Sequence, residues 1–140
     1  MATIENLQQQ YRGLDKGFET KSEAAIDPEC LLVFDYEYSG QDTEVVIDMN
    51  EFTAVCPWTG LPDFGSMVIK YVPDRLCIEL KSLKYYLLSY TGVGIVQEHA
   101  ANRILNDLVG VCEPVRMTVS LDYNVRGGLH TTVTANYVKE

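Results

Sequence analysis

The sequence predicts an α+β domain built on an antiparallel sheet, and three observations support this fold class. Apolar and polar residues alternate in segments near the start and the end of the chain, which is the period of a half-buried strand. Two segments between them space their apolar residues by three and four, as amphipathic helices do. The last two strands are separated by Arg126-Gly127-Gly128, a sequence typical of a hairpin turn. Strands, then helices, then a hairpin is the element order of an α+β domain.

Alternating apolar and polar residues predict six strands. In the first, apolar side chains from Leu32 to Tyr38 face one way while Asp35 and Glu37 face the other. Pro73 ends the third, because proline lacks the N–H group that a sheet ladder requires. A small open sheet leaves its edges unpaired, and association between subunits is one way to cover them. The predicted strands span residues 32–38, 45–50, 67–71, 76–80, 117–125 and 129–137.

The predicted helices lie between the fourth and fifth strands. The first carries Leu83, Leu87 and Tyr90 at helical spacing, and it is broken by Thr91-Gly92-Val93-Gly94. The second covers about residues 95–109.

The first 24 residues are predicted to form an N-terminal arm, and residues 25–140 a single domain. An apolar stripe in the arm indicates a short helix that packs on a neighbour, although Gly13 and Gly17 weaken it. A frayed terminus is the alternative. The stripe consists of Ile4, Leu7, Tyr11, Leu14 and Phe18.

Composition argues against several classes of protein. The net charge of −9 disfavours binding to the phosphate backbone of nucleic acids. The chain has no apolar run of about 18 residues that would span a membrane and no secretory signal pattern, so we expect a cytoplasmic protein without membrane association. The four cysteines form no CxxC pair and fit no zinc ligand set, so we expect reduced thiols and no bound metal.

The segment from Phe52 to Phe64 is the first candidate for chemistry. Two prolines and Gly60 predict a tight connection between strands that brings Asp63 back towards Cys56. A cysteine nucleophile must become a thiolate, and its free pKa of about 8.5 makes a nearby proton acceptor useful. Asp63 can accept that proton and later donate it to a reacting atom. The structural alternative is a buried cysteine beside a solvated aspartate, which the spacing by itself favours.

A second candidate site begins at Glu79, where a strand leads into a helix. Lys81, Ser82 and Lys84 fall in its first turn, where free backbone N–H groups and the helix dipole favour an anion. Two ammonium groups there suit a phosphate, and Arg126 of the hairpin turn is a candidate second phosphate contact. The alternatives are solvated lysines on an amphipathic helix and a solvated arginine in the turn, and composition favours both.

The second predicted helix begins with Gln97, Glu98 and His99. Glu98 lies beside the apolar face, so we expect a half-buried carboxylate that needs a partner. An N–H-rich heterocycle would donate two parallel hydrogen bonds to it, as a guanidinium does. Pairing with Asn102 or hydration is the alternative. His99 is predicted to be a surface or packing residue.

Taken together, these segments resemble one family, the NADPH-dependent 7-cyano-7-deazaguanine reductases, known as QueF. The similarity covers roughly residues 25–138, and the order and spacing of the short motifs are specific when taken together. The motifs are Cys56-Pro57-Trp58-Thr59-Gly60-Leu61-Pro62-Asp63-Phe64, Glu79-Leu80-Lys81-Ser82-Leu83-Lys84-Tyr85-Tyr86, Glu98, Asn106-Asp107-Leu108 and Arg126-Gly127-Gly128.

The resemblance implies the tunnelling fold, in which an antiparallel sheet carries two helices on one face and subunits associate into β-barrels. It implies active sites between subunits and, for single-domain members of this size, a homo-oligomer of two stacked rings of five. The implied reaction converts the nitrile 7-cyano-7-deazaguanine to 7-aminomethyl-7-deazaguanine, consumes two NADPH and serves queuosine biosynthesis, a tRNA modification.

The resemblance also implies the roles of individual residues. Cys56 attacks the nitrile carbon to form a covalent thioimidate, and Asp63 donates a proton to the nitrile nitrogen. Some family members have a histidine where this chain has Gln97, which leaves a role for His99 in proton transfer open. The implied substrate-binding residues are Ile78, Glu79, Leu80, Gln97 and Glu98. The implied cofactor-binding residues are Lys81, Ser82, Lys84, Tyr86, Arg126 and Gly127.

Three alternatives follow from the same fold. A relative of the family transfers nitrogen to the nitrile in archaeal tRNA, but it lacks the cofactor motif that Lys81 and Lys84 represent here. GTP cyclohydrolase shares the fold and needs zinc ligands, which this sequence does not supply. A non-catalytic ring protein that holds a purine-like ligand at Glu98 is the third, although binding requires neither Cys56 nor Asp63.

Overall fold

The computed structural model describes residues 3–14 and 19–140 of the chain. The helices in these residues are α1 (Ile4–Leu14), α2 (Leu80–Leu88) and α3 (Gln97–Cys112), with 3-10 turns at Glu23–Ala25 and Pro28–Cys30. The strands are β1 (Val33–Asp35), β2 (Val45–Val55), β3 (Pro62–Val72), β4 (Leu76–Ile78), β5 (Arg116–Tyr123) and β6 (Thr132–Val138). Strands, two helices and a closing hairpin follow one another as the α+β class predicts.

Four strands form an antiparallel sheet in the order β2-β3-β5-β6, and β1 pairs with β4 in a small separate sheet. In the large sheet, Ile69 pairs with Val119 and Val119 with Ala135, so apolar side chains of neighbouring strands share one face. The other face carries polar side chains such as Lys70 and Thr118. Within the described residues, β2 and β6 are the edges of this sheet.

The helices α2 and α3 cover the apolar face. α3 contacts β5 and β6, while α2 contacts β2. Ala100, Ile104 and Leu108 of α3 are fully buried, at the spacing of four that the sequence predicted. Leu83 and Leu87 of α2 join the same core. Removal of this apolar surface from water is the main force that holds the helices on the sheet.

Side-chain hydrogen bonds join α2 to α3. The Tyr86 hydroxyl donates a hydrogen bond of 2.6 Å to the Asp107 carboxylate and lies 2.8 Å from the Tyr90 hydroxyl. Arg103 donates to the same carboxylate at 2.8 Å. Burial is the main cause that raises the pKa of both tyrosines, so both stay neutral. The two helices are therefore joined by directional bonds as well as by packing.

A short backbone ladder ties the end of β2 to the segment that leads into α3. Val55 donates its N–H to the carbonyl of Val93 at 2.9 Å and accepts the N–H of Ile95 at 3.2 Å. Lys21 pairs with the other side of this segment through backbone bonds of 2.8 and 2.9 Å. The chain positions just before Cys56 and just before α3 are thus held side by side.

The strands differ from prediction mainly in length. β2 and β3 run past the predicted 45–50 and 67–71, because pairing resumes at Phe52 with Gly65 after a register shift that interrupts the alternation. The first predicted strand, 32–38, is present but shorter than predicted: β1 ends at Asp35, and a turn follows in which Gly40 has a φ of 96°.

The predicted N-terminal arm contains α1, in which no residue is buried. Phe18 of the predicted stripe lies outside the described residues, and the boundary between arm and domain at residues 24 and 25 stays a prediction. Among residues 3–14 and 19–140, no helix is both long and apolar enough to cross a membrane.

Candidate active site

The loop between β2 and β3 holds the predicted nucleophile. Cys56 donates its backbone N–H to the carbonyl of Leu61 at 3.0 Å, and Gly60 donates to the carbonyl of Cys56 at 2.8 Å. Gly60 has a φ of 73°, a conformation that favours glycine. The ends of the loop therefore meet, and Asp63 returns in β3 as the partner of Ala54, close to Cys56 as predicted.

Asp63 is buried and paired. Only 6% of its side chain is exposed, and its carboxylate accepts a hydrogen bond from the guanidinium of Arg126. A buried carboxylate without a partner is costly, and the guanidinium supplies both a donor and an opposite charge. Asp63 is consequently not the solvated residue of the structural alternative.

Arg126 begins the turn between β5 and β6. It donates its N–H to the carbonyl of Leu129 at 2.9 Å and accepts the N–H of Leu129 at 3.0 Å. Gly127 and Gly128 have φ values of 60° and 79°, as the two central residues of a type I′ turn require. The predicted hairpin turn is confirmed, and the contact of Arg126 with Asp63 is new.

Cys56 lies in surroundings that favour its thiolate. Its pKa is lowered from the ordinary value, first by a hydrogen bond from the Thr59 hydroxyl. Burial opposes this effect, since Cys56 is only 6% exposed. Backbone N–H groups of Thr59 and Trp58 and the positive charge of Arg126 lower the pKa further. The thiolate is the nucleophilic form, so the loop prepares Cys56 for attack.

The first turn of α3 forms the opposite wall. Gln97 and Glu98 are its first two residues, and the Tyr123 hydroxyl donates to the backbone carbonyl of Gln97 at 3.3 Å. Burial raises the pKa of Tyr123, and the nearby carboxylates of Asp63 and Glu98 raise it further. Tyr123 therefore stays a neutral donor that holds the start of α3 against β5.

Glu98 is exposed, so the prediction of a half-buried carboxylate is wrong for this chain by itself. The side-chain amide of Asn102 donates to the backbone carbonyl of Glu98 at 2.9 Å, not to its carboxylate. In the described part of the chain, that carboxylate takes part in no hydrogen bond or ion pair. His99 is exposed, as predicted.

One cleft brings the predicted catalytic pair together with part of the predicted substrate site. Its walls are the loop after β2, the start of α3 and the hairpin turn, and Trp58, 82% exposed, lies at its mouth. The lining residues are Cys56, Pro57, Trp58, Asp63, Val96, Gln97, Glu98 and Arg126.

The predicted cofactor segment lies elsewhere on the chain. Leu80 and Lys84 line an apolar groove between α2 and β2 together with Met49. Met49 precedes Cys56 by seven residues along β2, a distance of roughly 20 Å in a strand. The remaining predicted substrate residues, Ile78, Glu79 and Leu80, are therefore not brought to the Cys56 cleft within one chain.

The start of α2 is closed by its own sequence. Glu79 accepts the N–H groups of Lys81 and Ser82 at 2.8 and 2.7 Å, so these groups are not free for an anion. Ser82 is buried, and its hydroxyl donates to the carbonyl of Glu79 at 2.8 Å and accepts the N–H of Leu32 at 2.9 Å. Lys81 and Lys84 remain exposed, and their ammonium groups form the cationic surface of this turn.

Tyr86 and Gly127 complete the predicted cofactor set. Tyr86 is 0% exposed and bonded to Asp107, so its side chain supports the helix pair and presents no surface to a ligand. Gly127 lies exposed in the turn beside Arg126.

Sequence reasoning did not identify Thr59 or Tyr123 as functional residues. Thr59 has a recognisable signal, since a hydroxyl three positions after a cysteine in a tight turn can reach back to the sulfur. Tyr123 has none, because it reads as one more apolar position of β5. No group of three or more His, Cys, Asp or Glu side chains within residues 3–14 and 19–140 is arranged to hold a metal ion; that the protein binds no metal stays a prediction.

Comparisons with known proteins relate the chain to one family. Residues 62–140 match a family described as QueF-like protein. The NADPH-dependent 7-cyano-7-deazaguanine reductase of Chlorobaculum tepidum is 53% identical over 114 residues, which cover 81% of this chain and 97% of that protein. The protein of the same name from Thermoanaerobacter pseudethanolicus is 48% identical over 126 residues, covering 90% and 95%.

The structural comparison agrees on the fold. The archaeosine synthase QueF-Like, solved in the apo form, superposes with a TM-score of 0.64 at 21% sequence identity. The match covers 69% of this chain and 94% of that one.

Proposed function

Because the chain belongs to the family of NADPH-dependent 7-cyano-7-deazaguanine reductases, we propose that it reduces this nitrile to the aminomethyl compound through a covalent bond to Cys56. The observation that carries the proposal is one cleft in which a cysteine of lowered pKa lies with a buried carboxylate, Asp63. Simple binding of a purine-like ligand requires neither group. The reaction belongs to queuosine biosynthesis.

Covalent capture makes the nitrile easier to reduce. The thiol proton of Cys56 passes to Asp63, and the sulfur adds to the nitrile carbon while one C–N π bond opens. Asp63 then returns the proton to the nitrogen, which leaves a neutral thioimidate. No other reactant is needed for this step, and the C=N bond of the product is a better hydride acceptor than a nitrile.

NADPH, when bound, supplies a hydride to this carbon twice for each nitrile. After the first reduction the C–S bond breaks, Cys56 leaves as the thiolate, and the imine stays in the cleft. The second reduction also takes up a proton from solvent to give the amine, and a further solvent proton restores the thiol of Cys56. Lys81 and Lys84, which are exposed three positions apart on one turn of α2, suit the cofactor's phosphates. Because Glu79 uses the N–H groups of that turn, the phosphates would meet ammonium groups and not the helix end.

The start of α3 is the proposed anchor for the heterocycle. Glu98 lines the cleft, and its carboxylate suits two parallel N–H donors of a guanine-like edge. The amide of Gln97 offers a further donor and acceptor. Trp58 at the mouth provides an aromatic surface against which a flat ring can stack.

We place the complete site between two subunits of a homo-oligomer. This oligomer would consist of two stacked rings of five subunits. Leu80 and Lys84 lie beside Met49, roughly 20 Å along β2 from Cys56, so a second chain would bring the cofactor segment to the nucleophile. The edge strands β2 and β6 are suited to pair between subunits, which would close the sheets into a barrel. The four free cysteines agree with a cytoplasmic location.

Intact-protein mass spectrometry tests the nucleophile directly. Incubation with 7-cyano-7-deazaguanine in the absence of NADPH should add the mass of one nitrile per chain, and Cys56→Ala should abolish the adduct. Cys30→Ala is the matched control, because Cys30 is a half-exposed free cysteine outside the cleft. An adduct that persists in Cys56→Ala would refute the assignment.

Turnover gives the second test. With NADPH present, the loss of nicotinamide absorbance should correspond to two cofactors per nitrile consumed. A folded protein that forms the adduct but oxidises no NADPH would contradict the reductase function and leave nucleophilic capture standing.

A further inference from the structure

Arg126 contacts Asp63, and a role in cofactor binding does not account for this contact. The guanidinium donates to a carboxylate of which only 6% is exposed, while its own side chain is 56% exposed. The guanidinium of Arg126 is therefore bound to Asp63, which takes part in the nucleophilic step. The resemblance implied a phosphate contact for the same side chain.

The backbone directs Arg126 to this position. Asn124 donates its N–H to the carbonyl of Phe64 at 2.8 Å, which holds the approach to the turn against the residue next to Asp63. The reciprocal backbone bonds between Arg126 and Leu129 then fix the first residue of the turn. Contacts within a single chain make this arrangement, and it includes the ion pair of Arg126 with Asp63.

The cleft contains negatively charged groups, whose mutual repulsion a nearby cation would reduce. Its lining residues include the acidic Asp63 and Glu98, and Cys56 adds a third negative charge when it ionises. Arg126 is the cation among the lining residues. Negative charges that share a cleft repel one another. The guanidinium of Arg126, which pairs with Asp63 and lowers the pKa of Cys56, offsets this repulsion.

On the basis of the function proposed above, we propose that Arg126 is a positioning residue for thioimidate formation. It orients the Asp63 carboxylate towards Cys56 and offsets the negative charge that develops in the cleft. It acts before NADPH binds and independently of it. A residue that served only the cofactor's phosphates would have no effect on adduct formation in the absence of NADPH.

The rate of adduct formation without NADPH, followed by intact mass over a range of pH, tests the proposal. Arg126→Gln should slow the reaction at neutral pH by about threefold to tenfold, because the loss of a nearby charge moves a thiol pKa by up to about one unit. The rise of the rate with pH should move to higher pH. Arg126→Lys keeps the charge and should restore part of the rate, whereas normal adduct formation in Arg126→Gln with a raised KM for NADPH would overturn the proposal.

Arg116→Gln is the matched control. Arg116 also pairs with an aspartate, since it lies 3.0 Å from Asp42, but both side chains are on the surface away from the cleft. This variant should form the adduct at the normal rate. Equal slowing in both variants would indicate a general effect of lost charge and would refute a specific role for Arg126.

A double-mutant cycle tests whether Arg126 acts through Asp63. In the Asp63→Asn background, Arg126→Gln should slow adduct formation much less than it does in the unmodified chain. Multiplicative effects would show that the two residues act separately and would overturn the positioning role.

Alkylation of Cys56 by iodoacetamide separates failure of this proposal from failure of the proposed function. The reagent reports thiolate content without any nitrile. If the unmodified chain forms no nitrile adduct, the proposed function fails, and slower alkylation in Arg126→Gln than in Arg116→Gln would still support the charge effect on Cys56. Equal alkylation rates in the two variants would contradict it.

Discussion

The carboxylate of Glu79 accepts the backbone N–H of Ser82 at 2.7 Å and so closes the N-terminus of α2. The N–H of Lys81 is bound by the same carboxylate. These N–H groups are the main causes that lower the pKa of Glu79. Glu79 therefore caps the first turn of α2, which resembles a cofactor motif, and Lys81 and Lys84 are exposed at this capped end.

Replacement of Glu79 by Ala should lower the stability of the chain. The variant loses both hydrogen bonds to the first turn, and the midpoint of urea denaturation should fall at neutral pH. A carboxyl whose folded pKa is depressed stabilises the fold above its unfolded pKa, and this contribution is lost as the pH falls. The difference between the two proteins should therefore shrink in acid, and a gap that stays constant with pH would contradict the cap.

Replacement of Lys81 by Ala should weaken cofactor binding. An exposed ammonium that meets a phosphate contributes a modest amount, so we expect the KM for NADPH to rise by about threefold to tenfold. The KM for the nitrile and the rate of adduct formation without NADPH should change little. Lys70→Ala, which removes an exposed lysine from the opposite face of the sheet, is the control. Equal changes in both KM values would refute the phosphate assignment.

Replacement of Thr59 by Val should raise the pKa of Cys56. The hydroxyl is the largest cause of the lowered pKa, and valine keeps the shape of the side chain while removing the donor. A higher pKa leaves a smaller thiolate fraction at neutral pH, so alkylation and adduct formation should slow there and recover in alkali. A pH profile that overlays that of the unmodified chain would rule out this role.

Replacement of Gly65 by Ala should disturb the sheet beneath the cleft. A Cβ atom there would lie 2.8 Å from the backbone oxygen of Asp122 and 3.2 Å from the Cα of Tyr123. Because β5 must move to make room, we expect a loss of about 1–3 kcal/mol in the free energy of unfolding. Calorimetry or urea denaturation measures it.

Gly110→Ala is the contrasting variant for that experiment. Gly110 lies in α3, and a Cβ there meets nothing within 4 Å. The change should stabilise the chain by about 0.4–1 kcal/mol, since it restricts the unfolded state at no steric cost. Two glycines of one chain should thus respond with opposite signs, and a similar loss at both would contradict the close approach of β3 and β5.

The parts of the site that follow from local patterns were predictable. Two prolines and Gly60 indicated the tight loop that returns Asp63 to Cys56, and two glycines indicated the turn at Arg126. The partner of Arg126 was not predictable, because it depends on which strand lies next to the hairpin. Tyr86 was assigned to the cofactor because a motif contains it, whereas its position on the helix face buries it.

The assignment of the helix start shows a second limit. Lysines and a serine at the first turn suggested free N–H groups, but the motif itself begins with Glu79, whose carboxylate reaches those groups first. Ser82 then turns inward to Leu32, a residue 50 positions away in the sequence. Contacts over such separations are set by packing and leave no periodic trace.

The backbone ladder that joins Val55 to Ile95 restricts the length of the substrate that can react with Cys56. Cys56 follows one side of the ladder directly, and Gln97 and Glu98 follow the other by two and three residues. Main-chain bonds therefore set the spacing between the backbone of the nucleophile and the backbone of the anchor. One methylene inserted between ring and nitrile would displace the reacting carbon by about 1.5 Å. Misplacement by about 1 Å can cost a hundredfold in rate. Such an analogue should occupy the cleft and escape capture, which would make it a reversible inhibitor instead of a substrate.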